Sequence, residues 1–445
     1  MTAGKNRMLR WTLPFIAFSL FVNTLLLHQY VNKIGVMEEI DEIYGINSND
    51  FRGMNAEMMM DYEVKLAESL QSHPNATTSF QMGPFFAGLC NQYFRLLGLM
   101  FLAHQEGYDE IIEESITWKD TYGTNQKIPH YMLWDVVHWN TFYPTIPRLA
   151  SFDEKIHVDM KSEDEEIKQG NSTFIKKNIN YNFTGDIWGE DTKPKPPPLA
   201  RNLMQGKNRY KQFVKNVEVG NPEKSYPKEL EMYKTILKSA LRPHPYIQSI
   251  IDNIKVQLGS DEKGYMVLHS RVEPDMNRQN ERICSDKRVM NITDILNMVY
   301  EKFPEPPVNT VLIVFSRELI EEEEAKEENT DDAHLVNSHN LKVINELRES
   351  GMWGGKVNVV EAGSKMIDET ENEFYRYYSN FVGSIVNFFL AIESNIFVGT
   401  EISSYSTLAI NSRLYRESRE NYFYRPQGLH WRTPPNVTKP HWFTC

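Results

Sequence analysis

Near its C-terminus the chain reads NIFVGTEISSYSTLAINSRLYR, residues 395–416. A short apolar run, Ile396-Phe397-Val398, empties through Gly399-Thr400 into the hydroxyls of Ser403, Ser404, Ser406 and Thr407. A helical pattern over 408–415 follows and carries Arg413. Hydroxyls at a helix start make a natural anion site. First-turn N–H groups lack intrahelical acceptors, the helix dipole favours negative charge, and Ser or Thr side chains add donors. Arg413 would add a guanidinium. The same residues also suit an ordinary Ser/Thr cap ahead of a core-packing helix.

A second segment, GYMVLHSRVEPDM at 264–276, holds a compact apolar run at 265–268 of the kind that forms a buried parallel strand. His269 and Arg271 follow two apart, so an extended chain points them to one face. In open α/β sheets ligands sit beyond the carboxyl ends of strands, where these two groups would lie. Arginine suits a diphosphate because its planar fork donates two parallel hydrogen bonds and keeps its charge. Glu273 and Asp275 could orient it, or Asp275 could pair with it as a surface ion pair.

The third segment is PFFAGLCNQYFRLLG at 84–98. Gly88 and the pair Asn91-Gln92 stand just before a helical apolar pattern of Tyr93, Leu96, Leu97, Met100 and Phe101. Glycine lets backbone approach a ligand, and the amides offer uncharged donors and acceptors for sugar hydroxyls or phosphate oxygens. A glycine turn with a polar cap is the plainer use of the same residues.

In this order the three segments resemble the GDP-fucose protein O-fucosyltransferase-like family of glycosyltransferases. Its motifs are G-x-x-N-Q early, H-x-R at a mid-chain strand end, and a late strand leading to G-T-x-x-S-x-x-S-T and an Arg-bearing helix. Here they are Gly88-Leu89-Cys90-Asn91-Gln92, His269-Ser270-Arg271, and Gly399-Thr400 through Ser406-Thr407 to Arg413. The resemblance implies a GT-B fold, with two Rossmann-like domains facing across a cleft. It implies inverting, metal-independent transfer, and GDP held mainly by the C-terminal half. On this basis Arg271 is the catalytic residue at the diphosphate, supported by Ser406 and Thr407. His269 and Asp275 shape the donor pocket, Gly88, Asn91 and Gln92 line the cleft, and Arg413 braces the loop. The chain departs from the family pattern at Asn387, where an acidic residue is common, and at Cys90, where a glycine is common.

The elements that must position these groups follow from length and pattern. With 445 residues, 41% of them hydrophobic, the chain can build two domains. A net charge of −12 argues against nucleic acid as a partner, so an anionic donor needs a local basic pocket. No D-x-D metal motif, P-loop or G-x-G-x-x-G occurs, and no metal or cofactor is expected; the donor substrate implied by the resemblance is GDP-fucose. Lys5, Arg7 and Arg10 precede an uncharged apolar stretch at 11–27. A cleavable signal peptide is the rival reading, but no small-residue cleavage site follows. An uncleaved signal anchor at 11–30 with a cytoplasmic tail at 1–10 is therefore expected, hence a single-pass type II protein of the Golgi or endoplasmic reticulum membrane. Asn75, Asn171, Asn182, Asn291 and Asn436 stand in sequons that a lumenal location would expose to glycosylation. The cysteines, Cys90, Cys284 and Cys445, are too few and scattered for a zinc site; they allow one disulfide of unassigned pairing.

Residues 31–75 read as a stem and 76–258 as the N-terminal, acceptor-side domain, with an exposed polar insertion at 151–200 that ends in a proline run. Within that domain 131–140 looks like a strand with a polar turn, and Asp135, His138 and Asn140 there are more often structural than acceptor-binding. Residues 259–425 read as the second domain, which the resemblance makes the nucleotide-sugar-binding one. Strands at 265–268, 308–315, 357–360 and 396–398 alternate with helices at 292–303, 335–348, 378–393 and 407–415, the order of a doubly wound parallel sheet. Residues 426–445 read as a tail. The expected activity is fucosyl transfer to a protein or glycan hydroxyl. The alternatives are an inactive membrane-tethered carbohydrate-binding protein of the same fold, and a sulfotransferase; the latter expects a Gly/Lys phosphosulfate loop, yet 84–92 holds no lysine.

Overall fold

The computed structural model describes Ala56–Leu70, parts of 78–151 and 165–176, then 227–258, 263–272, 290–315, 332–361, 379–400 and 403–431 apart from 417–419 and 426. The chain divides into two units, Met1–Val64 with Thr370–Tyr377, and Lys65–Glu369 with Tyr378–Cys445. Of the first, only the opening turns of the helix Ala56–Leu70 are described. All the sheets belong to the second unit.

The strands, in chain order, are β1 Thr78–Met82, β2 Phe85–Phe86, β3 Glu110–Glu113, β4 Ile116–Lys119, β5 Asn125–Ile128, β6 Arg148–Ser151, β7 Glu165–Gln169 and β8 Ser172–Lys176, followed by β9 Tyr265–His269, β10 Thr310–Val314, β11 Asn358–Glu361, β12 Ile396–Gly399, β13 Glu420–Arg425 and β14 Gly428–Trp431. A five-stranded sheet runs β6-β3-β1-β8-β7, parallel except for the β7–β8 hairpin. A six-stranded sheet runs β11-β10-β9-β12-β13-β14, parallel except for its last strand. The short strands β2, β4 and β5 form a third sheet.

The six-stranded sheet follows from its sequence. YMVLH, TVLIV and IFVG are continuous apolar runs, and every residue of β9, β10 and β12 is buried, as expected for parallel strands covered on both faces. Met266, Leu268, Val311, Ile313 and Val398 share a core with Ile295 and Val299 of the helix Ile292–Lys302. The helix Ser379–Glu393 packs against β9 and against the helices Pro245–Gln257 and Ser404–Arg416. Lys255 and Glu393 pair at 2.6 Å across the contact with Pro245–Gln257.

Four expectations change. Residues 131–140 form a 3-10 turn, His130–Met132, and a short helix, Val136–Asn140, not a strand. Their aromatic and β-branched composition favours extended chain, but the Asp135 carboxylate caps the helix by accepting the His138 N–H at 3.0 Å. The polar segment 151–200 is not wholly an exposed insertion, since β7 and β8 lie within it and β8 pairs with β1. The six-stranded sheet extends through β14, which falls in the expected tail. The late helix begins at Ser404, so Ser406 and Thr407 lie in its first turn and not in a preceding loop. The apolar stripe marks only where the helix turns greasy. The anchor at 11–30 lies outside the described residues, among which no helix is long and apolar enough to cross a membrane.

Candidate functional site

In the six-stranded sheet the chain starts at β9, builds outward to β11, and then returns to place β12 on the other side of β9. The order reverses between β9 and β12. Carboxyl ends of strands at such a switch point are where open α/β sheets bind ligands. His269 ends β9 and Gly399 ends β12, so the H-x-R and G-T-x-x-S-x-x-S-T motifs meet there.

Their junction is a buried hydrogen-bond chain. His269 Nδ1 lies 2.7 Å from Ser406 Oγ, and the Thr400 N–H donates to the same oxygen at 3.0 Å. Ser406 is fully buried, and His269 is 6% exposed. Gly399 permits this approach, because a Cβ there would stand 2.4 Å from Ser406 Oγ and press on the Phe397 ring. The Tyr405 ring lies against the imidazole with centroids 4.4 Å apart, and Phe388 backs Tyr405 at 5.7 Å. Burial, and secondarily the Arg271 guanidinium, lower the His269 pKa to about 3, so the ring is neutral at ordinary pH.

Arg271 is half-buried just past β9, close enough to bias His269 electrostatically. Its backbone N–H donates to Tyr424 Oη at 2.9 Å, and that hydroxyl donates to the His269 carbonyl at 3.3 Å. Ser270, between the two motif residues, is pinned to β10 by its N–H and hydroxyl, both donating to Val314 O. Neutral donors and a permanent cation at a strand end, beside a helix N-terminus, form an arrangement suited to an anion such as a diphosphate.

Thr407 is fully buried in the first turn of Ser404–Arg416, and among the described residues neither its Oγ1 nor Tyr405 Oη has a hydrogen-bond partner. The early motif comes close to this turn, since the buried Cys90 thiol bears electrostatically on the Tyr405 hydroxyl. Burial pushes the thiol itself far up, so it stays protonated. Gln92, two residues on, is also buried. Gly88, Asn91 and Asp275 lie outside the described residues, as do Asn75, Asn171, Asn182 and Asn436. Asn291 is the N-cap of Ile292–Lys302, its side chain accepting the Asp294 N–H at 2.8 Å.

Arg413 is not brought to the site. Fully buried, it donates to the carbonyls of Ala391, Ile392, Ser394, Asn395 and Glu420, to Ser394 Oγ and to the Asn421 side chain. Those groups close the helix Ser379–Glu393 and begin β12 and β13, the opposite end of the sheet from His269. Asp135, His138 and Asn140 also serve packing. Asp135 caps its helix, His138 Nε2 meets Ser239 O at 3.1 Å, and Asn140 ties Ser69 to Leu149. Sequence reasoning missed Tyr424 and Tyr405; the three consecutive aromatics of ENYFYR and the tyrosine between the motif's two serines were the available signals.

No family model matches the chain, and no curated protein matches it. Among solved structures it is similar to POFUT1 in complex with GDP, at 13% identity and a TM-score of 0.42, covering 79% of this chain and 99% of that one. It is also similar to a mutant of Arabidopsis thaliana FUT1 in complex with GDP, at 9% and 0.39, covering 90% of this chain and 82% of that one. The fucosyltransferase NodZ from Bradyrhizobium gives 10% and 0.35, with 82% and 100% covered.

Proposed function

We propose that this chain is a glycosyltransferase that binds a GDP-sugar and transfers fucose from GDP-fucose, with inversion and without a metal, to a hydroxyl of a protein or glycan. One observation carries the reading: His269 of H-x-R and Ser406 of G-T-x-x-S-x-x-S-T, far apart in sequence, meet at 2.7 Å at the switch point of a parallel sheet. Departure of a diphosphate needs its growing charge stabilised by preorganised donors. Arg271 supplies the permanent cation, and Thr407 with the first-turn N–H groups supplies neutral donors. In this reading residues 76–258 form the acceptor side and 259–425 the donor side. The charged N-terminal tail and apolar stretch at 11–30 anchor the chain in the Golgi or endoplasmic reticulum membrane, with the catalytic part in the lumen.

Calorimetric titration of the full chain in mild detergent with GDP, UDP and an adenosine bisphosphate tests the donor class. Tight binding of GDP alone is expected. Selective binding of the adenosine nucleotide would instead indicate a sulfotransferase, and binding of none would sink the reading. GDP-fucose bound but never turned over, even slowly to water, would indicate the tethered carbohydrate-binding protein that Asn387 in place of an acid favours.

A further inference from the structure

Ser406 has one hydroxyl proton and no exposure. Its oxygen already accepts the Thr400 N–H at 3.0 Å, and among the described residues the other polar atom within reach is His269 Nδ1 at 2.7 Å. If Nδ1 carried a proton, Ser406 Oγ would accept twice and its own hydrogen would be buried with nothing to receive it, which native interiors avoid. With Nδ1 bare, every group is satisfied: Thr400 donates to Ser406, and Ser406 donates to His269.

We propose that Ser406 is a positioning residue that donates to His269 Nδ1 and so holds the imidazole as its neutral Nε2–H tautomer, presenting a hydrogen-bond donor and not a base at the free edge of the ring. Nε2 has no hydrogen-bond partner among the described residues. The ring plane is fixed by Tyr405 on one face, and among the described residues Arg271 and the Tyr424 hydroxyl are the other charged or titratable groups beside it. The depressed pKa agrees, since a ring that is neutral at ordinary pH has one proton to place. What the Nε2–H meets rests on the proposed function: an anionic oxygen of the donor, beside Arg271. The tautomer itself does not depend on that reading. It carries a consequence for the chemistry, because a ring protonated at Nε2 cannot take the acceptor hydroxyl's proton there.

The experiment is a long-range proton–nitrogen correlation spectrum of the full chain in detergent, with its 12 histidines nitrogen-labelled, at neutral pH. His269→Gln assigns the resonances by their loss. A pyridine-type Nδ1 and a pyrrole-type Nε2 are expected for His269, and Ser406→Ala should pull both toward tautomer-averaged positions. A pyrrole-type Nδ1, a doubly protonated ring, or a pattern untouched in folded Ser406→Ala overturns the proposal. If that variant does not fold, the wild-type pattern decides alone. GDP added to the same sample separates the two readings. The expected pattern without GDP binding sinks the GDP-sugar assignment and leaves the tautomer standing, whereas GDP binding with the wrong pattern sinks only the tautomer.

Discussion

The backbone N–H of Arg271 donates to the hydroxyl of Tyr424 at 2.9 Å, although the tyrosine belongs to a strand that does not pair with β9. Gly399 at the end of β12 is opposite Phe423, so Tyr424 lies one residue past the end of the intervening strand. From there its side chain reaches β9, where the hydroxyl also donates to the His269 carbonyl at 3.3 Å. The tyrosine thereby fixes the backbone on both sides of Ser270, just where ladder pairing stops.

Tyr424→Phe removes the hydroxyl and keeps the buried ring. A net hydrogen bond is worth about 1 kcal/mol, so thermal stability should fall slightly. Nucleotide affinity should fall roughly fivefold to tenfold, because Arg271 then samples orientations that miss the ligand. Calorimetry with GDP on wild type and variant checks this. Unchanged affinity would mean that Tyr424 supports the strand end and nothing else.

At Arg271 the substitution series separates charge from geometry. If its fork grips a diphosphate bidentately, Arg271→Lys keeps the charge but loses the paired donors, and should bind GDP nearly as poorly as Arg271→Ala. Charge-assisted bonds contribute about 1.5–3 kcal/mol each, so affinity should drop on the order of tenfold to a hundredfold or more. Thr407→Ala should cost less, since backbone N–H groups remain beside the missing hydroxyl. Both Arg271 variants should melt near wild type; an early melt with unchanged GDP binding would make Arg271 a structural ion-pair partner.

The parallel sheet was readable because strands buried on both faces are written as unbroken apolar runs, and YMVLH, TVLIV and IFVG have few rival readings. The H-x-R motif was readable for the same reason: it begins where such a run ends. Tyr424 was not, because its role depends on which strand lies two places across the sheet. Residues 131–140 misled because Tyr131, Trp134 and Val136 carry strand propensity, while one carboxylate at Asp135 decides the backbone. Arg413 misled by nearness in sequence. Seven residues of helix separate it from Ser406, about 10 Å along the axis, enough to carry it to the other end of the sheet.

Two of the buried histidines, His244 and His269, couple folding to acid. His244 caps the helix Pro245–Gln257 by accepting the Tyr246 N–H at Nδ1, and burial lowers its pKa to about 3, as it does for His269. Below the unfolded value near 6.5 the unfolded chain takes up protons that the folded chain refuses. Stability from this source is therefore complete above about pH 6.5 and is lost progressively as pH falls toward about 3. His244→Asn keeps a cap acceptor and removes the titration. Denaturant midpoints across that window should show a slope shallower by about one proton; an unchanged slope would mean that His244 is protonated in the folded state.

Arg413 supplies the control for the Arg271 experiments. Its guanidinium is fully buried and spent on carbonyls that end one helix and begin two strands, with the Phe397 ring 6.0 Å away. Arg413→Met would strand several buried carbonyls and the Asn421 side chain at once. Each unmet group costs about 1–3 kcal/mol before relaxation, so a loss of about 4 kcal/mol or more is expected, enough to unfold a marginal protein. Arg413→Lys keeps the charge and part of the bonding and should leave a folded, less stable chain. Because Arg413 lies at the far end of the sheet, GDP affinity of that folded variant should stay within about twofold of wild type, since sites this far apart act independently. Stability is read from thermal denaturation and affinity from calorimetry on the same preparation. A normally stable Arg413→Lys that loses GDP would place this arginine at the ligand and invalidate the assignment of the binding end to His269, Arg271 and Gly399.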